Sequence, residues 1–431
     1  MSASFFSVVD YGTIGDGVTD DSTAIQNALN ASIGGICYVP SNASYYVNTT
    51  LTIPANTTLI FESYTATFIH GCDVTSTHLI LLSTNATIKN ATINGNYTNV
   101  TTFSQAEIAA NGANCVIENC FVYNLRNVGI SGGFDHCKIR DNFVLGLYSS
   151  TIGSYGIWAI VPSSINQEIS GNTVTGTYID AIGVSGVNAK VFNNYIKGCQ
   201  CNTSIGGGQL AIYPMSANTG FVKVYDNHIG AGGSSISSGI ELNGHSKVYN
   251  NFITKQKASG IVLQAGNWNI VHDNIVSNCG AEGIVTTSNL AFFEIYDNTC
   301  FDDQTIATQT YGVRIEANYN NYYKADNNMC YSNTISNFAD QTTNLTNKKV
   351  GSNLGNSVMN VLSVGASPYT YTNTRGQIVM LSIYGGTGVS VTANGRSVAY
   401  NNGVQVLILP MATAVITYTI SPGIDEFGIT D

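Results

Sequence analysis

"KVYDNHIG" (223–230), "KVYNNFIT" (247–254) and "NIVHDNIV" (269–276) repeat one pattern, with Asn227, Asn251 and Asn274 lying 24 and 23 residues apart. The pattern extends outward in both directions as "CVIENCFV" (115–122), "KIRDNFVL" (138–145), "EISGNTVT" (168–175), "KVFNNYIK" (190–197), "EIYDNTCF" (294–301) and "KADNNMCY" (324–331). These segments add Asn119, Asn142, Asn172, Asn194, Asn298 and Asn328 to the register. A basal period near 23 residues, lengthened in places by insertions of about seven to ten, is the mark of a solenoid whose rungs carry loops of variable size. A rung of this kind cannot bury its inward side chains alone, so the rungs must stack.

A second signal follows within each rung: "VGISG", "YGIWAI", "DAIGVSG", "SGIELNG", "SGIVLQAG", "EGIVTTS" and "YGVRIEAN". These glycine-led, alternating apolar runs read as strands with one buried face, and no rung holds ten residues of helical periodicity. Sparse leucine disfavours leucine-rich repeats, the other solenoid of similar period. The expected fold is all-β: a parallel β-helix in a single-stranded solenoid. Asparagine tolerates the left-handed backbone of a sharp turn, and identical amides one strand apart can hydrogen-bond along the axis. The asparagine column is therefore expected to be structural.

Composition narrows the partners. Charged residues make up 10% of the 431, the formal net charge is −10 and there are five arginines. Nucleic acid is excluded, since tracking phosphates requires basic patches. No metal-ligand spacing, cofactor motif or nucleophile context is found. The apolar stretch from Val404 is broken by Pro410 and is too short for a membrane helix, so no membrane insertion is expected. The opening "MSASFFSVVDYG" lacks the basic start and apolar segment of a secretory signal. Cys300 and Cys330 fall at equivalent positions of successive rungs, where either buried thiols or a disulfide would fit. Ten Asn-x-Ser/Thr sequons occur, crowded before residue 102, in about the number that chance gives, so glycosylation is left open.

A stack exposes its first rung and needs a lid. "TDDSTAIQNALN" (19–30) supplies a capping helix, with Thr19, Asp20 or Asp21 at its N-cap and Ala24, Ile25, Ala28 and Leu29 on its apolar face. A calcium or substrate site built from Asp16, Asp20 and Asp21 is the other reading of the same stretch. "VVDYGTIGDGVTDDSTAIQNALN" (8–30), followed by "GGICYVP" and "TLIFES", resembles the N-terminal signature of pectate-lyase-3 type proteins of the pectin-lyase-like superfamily, which includes tailspikes. The resemblance implies a right-handed parallel β-helix that acts on or binds polysaccharide. From about Asn356 the asparagine column is lost, and "SPYTYTN…GG" is similar to viral-fibre C-terminal domains. The organisation expected is a cap and first strands over 1–70, the β-helix over 71–340, a linker over 341–357 and a small antiparallel β domain over 358–431.

With the glycine-led runs in register, one outward column reads Trp158, Gly183, Ala211, Glu241, Val262, Val285, Arg314. The next reads Ile160, Ser185, Tyr213, Asn243, Gln264, Thr287, Glu316, and Asp180 and Glu282 stand just before their runs. Aromatic faces stack on sugars while amides and acids bind hydroxyls, so Trp158, Tyr213, Asn243, Gln264 and Arg314 are candidate glycan-binding residues. Asp180, Glu241, Glu282 and Glu316 are candidate catalytic carboxylates. Glycoside hydrolysis needs two carboxyls 5–9.5 Å apart, whereas Asp180 and Glu241 lie two rungs, about 10 Å, apart along the axis. The carboxylate motif of polygalacturonases is missing, and "RIE" (314–316) matches that family's Arg-Ile-Lys only in part. The leading expectation is a virion spike or fibre that recognises cell-surface polysaccharide, as a homotrimer alongside other virion proteins, extracellular or on the virion surface. A polysaccharide hydrolase or lyase, and a purely structural surface protein, are the alternatives.

Overall fold

The computed structural model describes residues 5–428 except 72–77, 101–104, 147–153, 178, 199–209, 216–219, 232–237, 288–289, 317–320, 343–347, 352, 354–359, 363, 374–378, 399–402 and 410–411. Three parallel sheets run the length of a right-handed β-helix. Sheet A has 14 strands, from Phe5–Ser7 to Lys348–Val350. Sheet B has 13, from Asp16–Asp20 to Met329–Tyr331, and sheet C has 12, from Leu51–Ile53 to Ser336–Asp340. Each complete rung contributes one strand to each sheet, so every neighbour in a sheet comes from the rung above or below.

Alternation along short strands sets what lies inside. Val224, Val248, Val271 and Ile295 of sheet A, Ile229, Ile253 and Val276 of sheet B, and Ile240, Ile261 and Ile284 of sheet C form continuous inward columns that are fully or almost fully buried. Parallel strands of three to six residues have few side chains each, and only the column shared with the neighbouring rungs removes them from water.

The asparagine column is real, with one correction. Asn142, Asn172, Asn194, Asn227, Asn251, Asn274, Asn298, Asn328 and Asn353 are all buried and linked head to tail. In each step the backbone N–H and the side-chain NH₂ of one asparagine both donate to Oδ1 of the next; for Asn227 to Asn251 the lengths are 3.1 and 2.9 Å. The same NH₂ reaches the carbonyls of Val191 and Tyr225, both at 3.0 Å. Asn119 is not a member. Strand register places Val116 to Glu118 against Lys138 to Arg140, so Cys120 stands below Asn142, and its N–H donates to Asn142 Oδ1 at 2.9 Å. Asn119 instead holds the preceding corner, with φ of 53°.

That corner carries the left-handed backbone. Asn119, Asp141, Gly171, Asn193, Asp226, Asn250, Asp273, Asp297 and Asn327 all have positive φ, one residue before the buried position. The two demands, a left-handed turn and a buried amide, thus fall on adjacent residues. A second corner uses Asn56, Asn85 and Asn114, whose exposed amides chain at 2.8 and 3.0 Å. Part of the sequon crowding has a structural origin here, because Asn56 and Asn85 are corner residues placed just before threonine-bearing strands.

The lid is helix α1 (Ser22–Ala31), whose Ile25, Ala28 and Leu29 are buried in the main core while Ala24 is only half-buried. Asp21 holds the N-cap position without a side-chain cap bond; its carboxylate instead accepts the N–H groups of Ile14 and Gly15 at 2.7 and 3.1 Å. Asp20 accepts from the N–H of Ser22 at 3.0 Å, and Asp16 from Val18 and Thr19 at 2.8 and 2.7 Å. All three aspartates are turned onto the backbone of their own loop. Cys300 and Cys330 are register partners and free, buried thiols. Beyond the helix, two four-stranded antiparallel sheets between Asn360 and Gly428 enclose a separate core that includes Leu381, Ile383, Ile408 and Ile416.

Replacing Asn227 by alanine removes the acceptor of the buried Asn194 backbone N–H and the NH₂ that serves the Val191 and Tyr225 carbonyls and Asn251 Oδ1, and should lower unfolding free energy by about 3 kcal/mol or more. Asn119→Gly, at a corner glycine tolerates, should change it by well under ~1 kcal/mol. Denaturant melts of both variants check the distinction.

Candidate functional site

The outward side of sheet C carries most of the candidate residues, and strand register fixes who meets whom. Ser131, Trp158, Gly183 and Tyr213 stand opposite one another in successive strands, and the same register sets Tyr213 opposite Glu241, followed by Val262, Val285 and Arg314. Tyr213 therefore belongs to the column of Trp158 and Glu241, two residues from its expected place, where Ala211 was expected. Ala211 is buried, filling the glycine position of its run. Asn243 lies in the second column and donates to the Tyr213 hydroxyl at 3.1 Å. Gln264 stands apart: a register shift after Leu263 pairs Asn243 with Ala265, leaving Gln264 exposed on the bulge.

Trp158 is placed by a neighbour's missing side chain. A Cβ on Gly183 would fall inside contact distance of indole Cε3 and Cζ3, so the ring lies across the glycine of the next rung. It also meets Tyr155 at 4.4 Å between centroids, tilted by 54°. A shallow pocket of about 180 Å³ adjoins it, lined by His78, Leu81, Ala109, Ser131, Phe134 and Ile160. Trp158 is half-buried, so part of the indole stays accessible for stacking against a sugar. The coplanar stack of Tyr225, Tyr249, His272 and Tyr296 on sheet A differs: centroids 4.9–5.1 Å apart and planes within 4° turn each inner ring's faces to its neighbours.

The four carboxylates divide into two environments. Asp180 is 4% exposed and accepts the Leu210 N–H at 2.9 Å. Burial pushes its carboxyl up to about 7, opposed by the Leu210 hydrogen bond and reinforced by the charge of Glu241. Burial raises Glu241 as well. The charge of Glu241 thus reaches Asp180 across two rungs, and the two acids stand near Tyr155, Trp158 and Tyr213. Glu282 and Glu316 are instead clamped by Arg314, at 2.8 and 3.1 Å, and Glu282 also accepts from Ser259 Oγ at 2.8 Å. The Arg314 guanidinium further lies 5.2 Å from the Tyr311 ring centre. Asp180, raised to about 7, can exchange its proton near neutrality, whereas the pair clamped by Arg314 is held in a fixed geometry.

Residues the sequence reading did not single out complete the site: Tyr155, Gly183 as the floor under the indole, and Ser259. Tyr155 precedes a glycine-led run exactly as Asp180 and Glu282 do, which is the signal that could have found it.

A parallel β-helix is the class this architecture defines. Residues 5–80 match the family described as rhamnogalacturonase A/epimerase, pectate lyase-like. Among solved structures, the chain is similar to the mannuronan C-5 epimerase AlgE4 A-module of Azotobacter vinelandii, at 15% identity and a TM-score of 0.58, covering 80% of this chain and 97% of that one. It is similar to PfbA, a surface adhesin of Streptococcus pneumoniae, at 16% identity and 0.59, covering 78% and 93%. The Dettilon tailspike protein gp208 aligns over 99% of this chain and 94% of its own, at 12% identity and 0.54. No curated protein sequence matches. At these identities the likeness is one of fold.

Asp180 gives a measurable pH dependence. An unfolded chain releases the proton near 3.8 and the folded one near 7, so folded protein holds the extra proton between these values. Stability from this group is therefore full below about pH 4 and declines as pH rises through 7. Asp180→Asn should match the parent at pH 4 and exceed it at pH 8 by on the order of 3 kcal/mol, in thermal melts across that range.

Proposed function

We propose that this protein engages an extracellular polysaccharide along sheet C, as a surface or virion spike. The observation that carries the reading is the Trp158 indole laid over Gly183 next to Tyr155, Tyr213 and the Asp180–Glu241 acid pair. Aromatic faces and hydroxyl-binding acids on one straight, rigid face suit an extended chain of sugars. The structural neighbours add support, being an epimerase module, an adhesin and a tailspike. Among the described residues no helix is long and apolar enough to cross a membrane.

Turnover of the bound glycan is the second reading, favoured by the acid pair. Asp180, protonated near neutrality, would serve as general acid, and Glu241 as the partner base. Asp180 and Glu241 are separated by two rungs, about 10 Å along the axis, which is closer to the spacing of inverting than of retaining hydrolysis.

The homotrimer expected of a spike is assigned here to sheet B. Its outward column, Phe121, Phe143, Thr173, Tyr195, His228, Phe252 and Ile275, leaves Phe143, Tyr195, Phe252 and Ile275 about 40% exposed, and a cavity of about 420 Å³ opens between Tyr64, Phe121 and Phe143. An apolar stripe of this length marks a contact surface. Another copy of the same stack repeats at the same spacing of about 4.8 Å, so rings can interdigitate rung by rung.

Trp158→Ala and Gly183→Val, one removing the ring and the other displacing it, should each cut glycan binding by about tenfold or more without changing the thermal midpoint by more than a few degrees. Retained binding in both rejects sheet C as the glycan face. Product release abolished by Glu241→Gln selects the enzymatic reading; binding with no release in the parent selects pure recognition. Sedimentation should show an oligomer that Phe143→Glu with Phe252→Glu converts to monomer, and a monomeric parent protein rejects the role of sheet B.

A further inference from the structure

The charges around the glycan face are lopsided, and they bear on which sugars it can accept. Asp180, Glu241, Glu282 and Glu316 all belong to sheet C or its border, against two guanidiniums: Arg126, in the connection entering strand Val128–Ser131, donates to the Tyr97 carbonyl at 3.4 Å, and Arg314 lies on the sheet itself. Arg314 is already engaged: Nη1 is 2.8 Å from Glu282, Nη2 is 3.1 Å from Glu316, and the Tyr311 ring lies beneath it. It also stands three rungs from Glu241, beyond Val262 and Val285.

Few cations among the described residues border the aromatic end. Lys255 and Lys257 are exposed in the connection between sheets B and C, one rung beyond Glu241. Half of the chain's 16 basic residues lie elsewhere, on the outward side of sheet A: Lys89, Lys138, Arg140, Lys190, Lys223, Lys247, Lys324 and Lys349. The protein thus keeps most of its cations away from where the sugar would lie.

Resting on the reading of sheet C as the glycan face, we infer that the sugar chain seated across Trp158, Tyr213 and Glu241 is uncharged, and that polyuronates are excluded from it. A polyuronate brings one carboxylate per residue and must be met by cations, or by more protonated donors than the buried Asp180 alone supplies. Here it would meet Glu241 beside a partly desolvated surface, where repulsion is weakly screened. A neutral sugar offers hydroxyls, which carboxylates and the Asn243–Tyr213 pair accept or donate to directly. The excess of acid is thereby turned into hydrogen-bonding capacity.

The test is retention of the intact protein on immobilised neutral glucans, mannans and galactans, compared with polygalacturonate and alginate, for the parent and for Trp158→Ala. Retention on a neutral polymer that Trp158→Ala abolishes, with at least ~10-fold weaker retention on both polyuronates, is the expected result. Retention on a polyuronate that depends on Trp158 overturns the inference while leaving sheet C as the glycan face. Loss of Trp158 dependence on every polymer removes the glycan face itself, and the inference with it. A second variant isolates charge: Glu241→Gln should raise polyuronate retention by about tenfold at low salt, and an unchanged exclusion means that charge is not its cause.

Discussion

The buried amide column is the constraint on which the rest of the molecule depends. Nine rungs from Asn142 to Asn353 are tied by the same two hydrogen bonds, backbone N–H and side-chain NH₂ to one Oδ1. Each amide also satisfies a carbonyl of the rung behind it, as Asn251 does with Val224 at 3.0 Å. An asparagine in this position has its donors and acceptor satisfied only when the next rung is exactly in register. The column therefore fixes axial spacing and azimuth together, and outward columns on every sheet inherit that alignment. Before Asn142 the same position is held by Cys120 and Ala91, small residues that need no partner, and there alignment rests on apolar packing with Ile88, Ile93 and Ile117.

The repeat was legible because an amide ladder demands one residue type at one place. It was misread at Asn119 because the neighbouring corner position also favours asparagine, for the separate reason of its left-handed backbone. In "CVIENCFV" the corner asparagine stands where the ladder residue was sought, and only strand pairing separates the two. Asn353 escaped notice for the converse reason: "KKVGSN" lacks the apolar run that follows each ladder residue elsewhere, yet its amide receives both donors of Asn328.

The site was less legible than the fold, for reasons tied to particular residues. Outward positions carry no repeated residue type, so their register had to be borrowed from the glycines. The run "GQLAIYPM" replaces the glycine by Ala211, which moved Tyr213 into the wrong column; the bulge after Leu263 displaced Gln264 in the same way. The chemistry of the acids could not be read from sequence at all. Asp180 and Glu282 both stand just before a glycine-led run, but one is closed off beneath its neighbours and the other is bound by a guanidinium two rungs or fewer away, a difference made by Leu210 and Arg314.

Each of the three faces has acquired a different chemical character on a common frame. Sheet A gathers lysines beside coplanar rings, sheet B exposes Phe143, Tyr195, Phe252 and Ile275 along one outward column, and sheet C concentrates acids and tilted aromatics. An axial repeat makes this segregation nearly automatic, since whatever a strand position presents is multiplied along the stack. The exceptions to multiplication are then the informative places. On sheet C the outward column is interrupted by Gly183, where a side chain would have to coexist with the Trp158 ring. A glycine in the middle of a strand weakens pairing and offers no packing of its own. Its physical justification lies in the indole above it, which without that gap could not lie along the sheet. The placement of one ring therefore depends on the absence of a side chain one rung away, and the site is built by register as much as by its own residues.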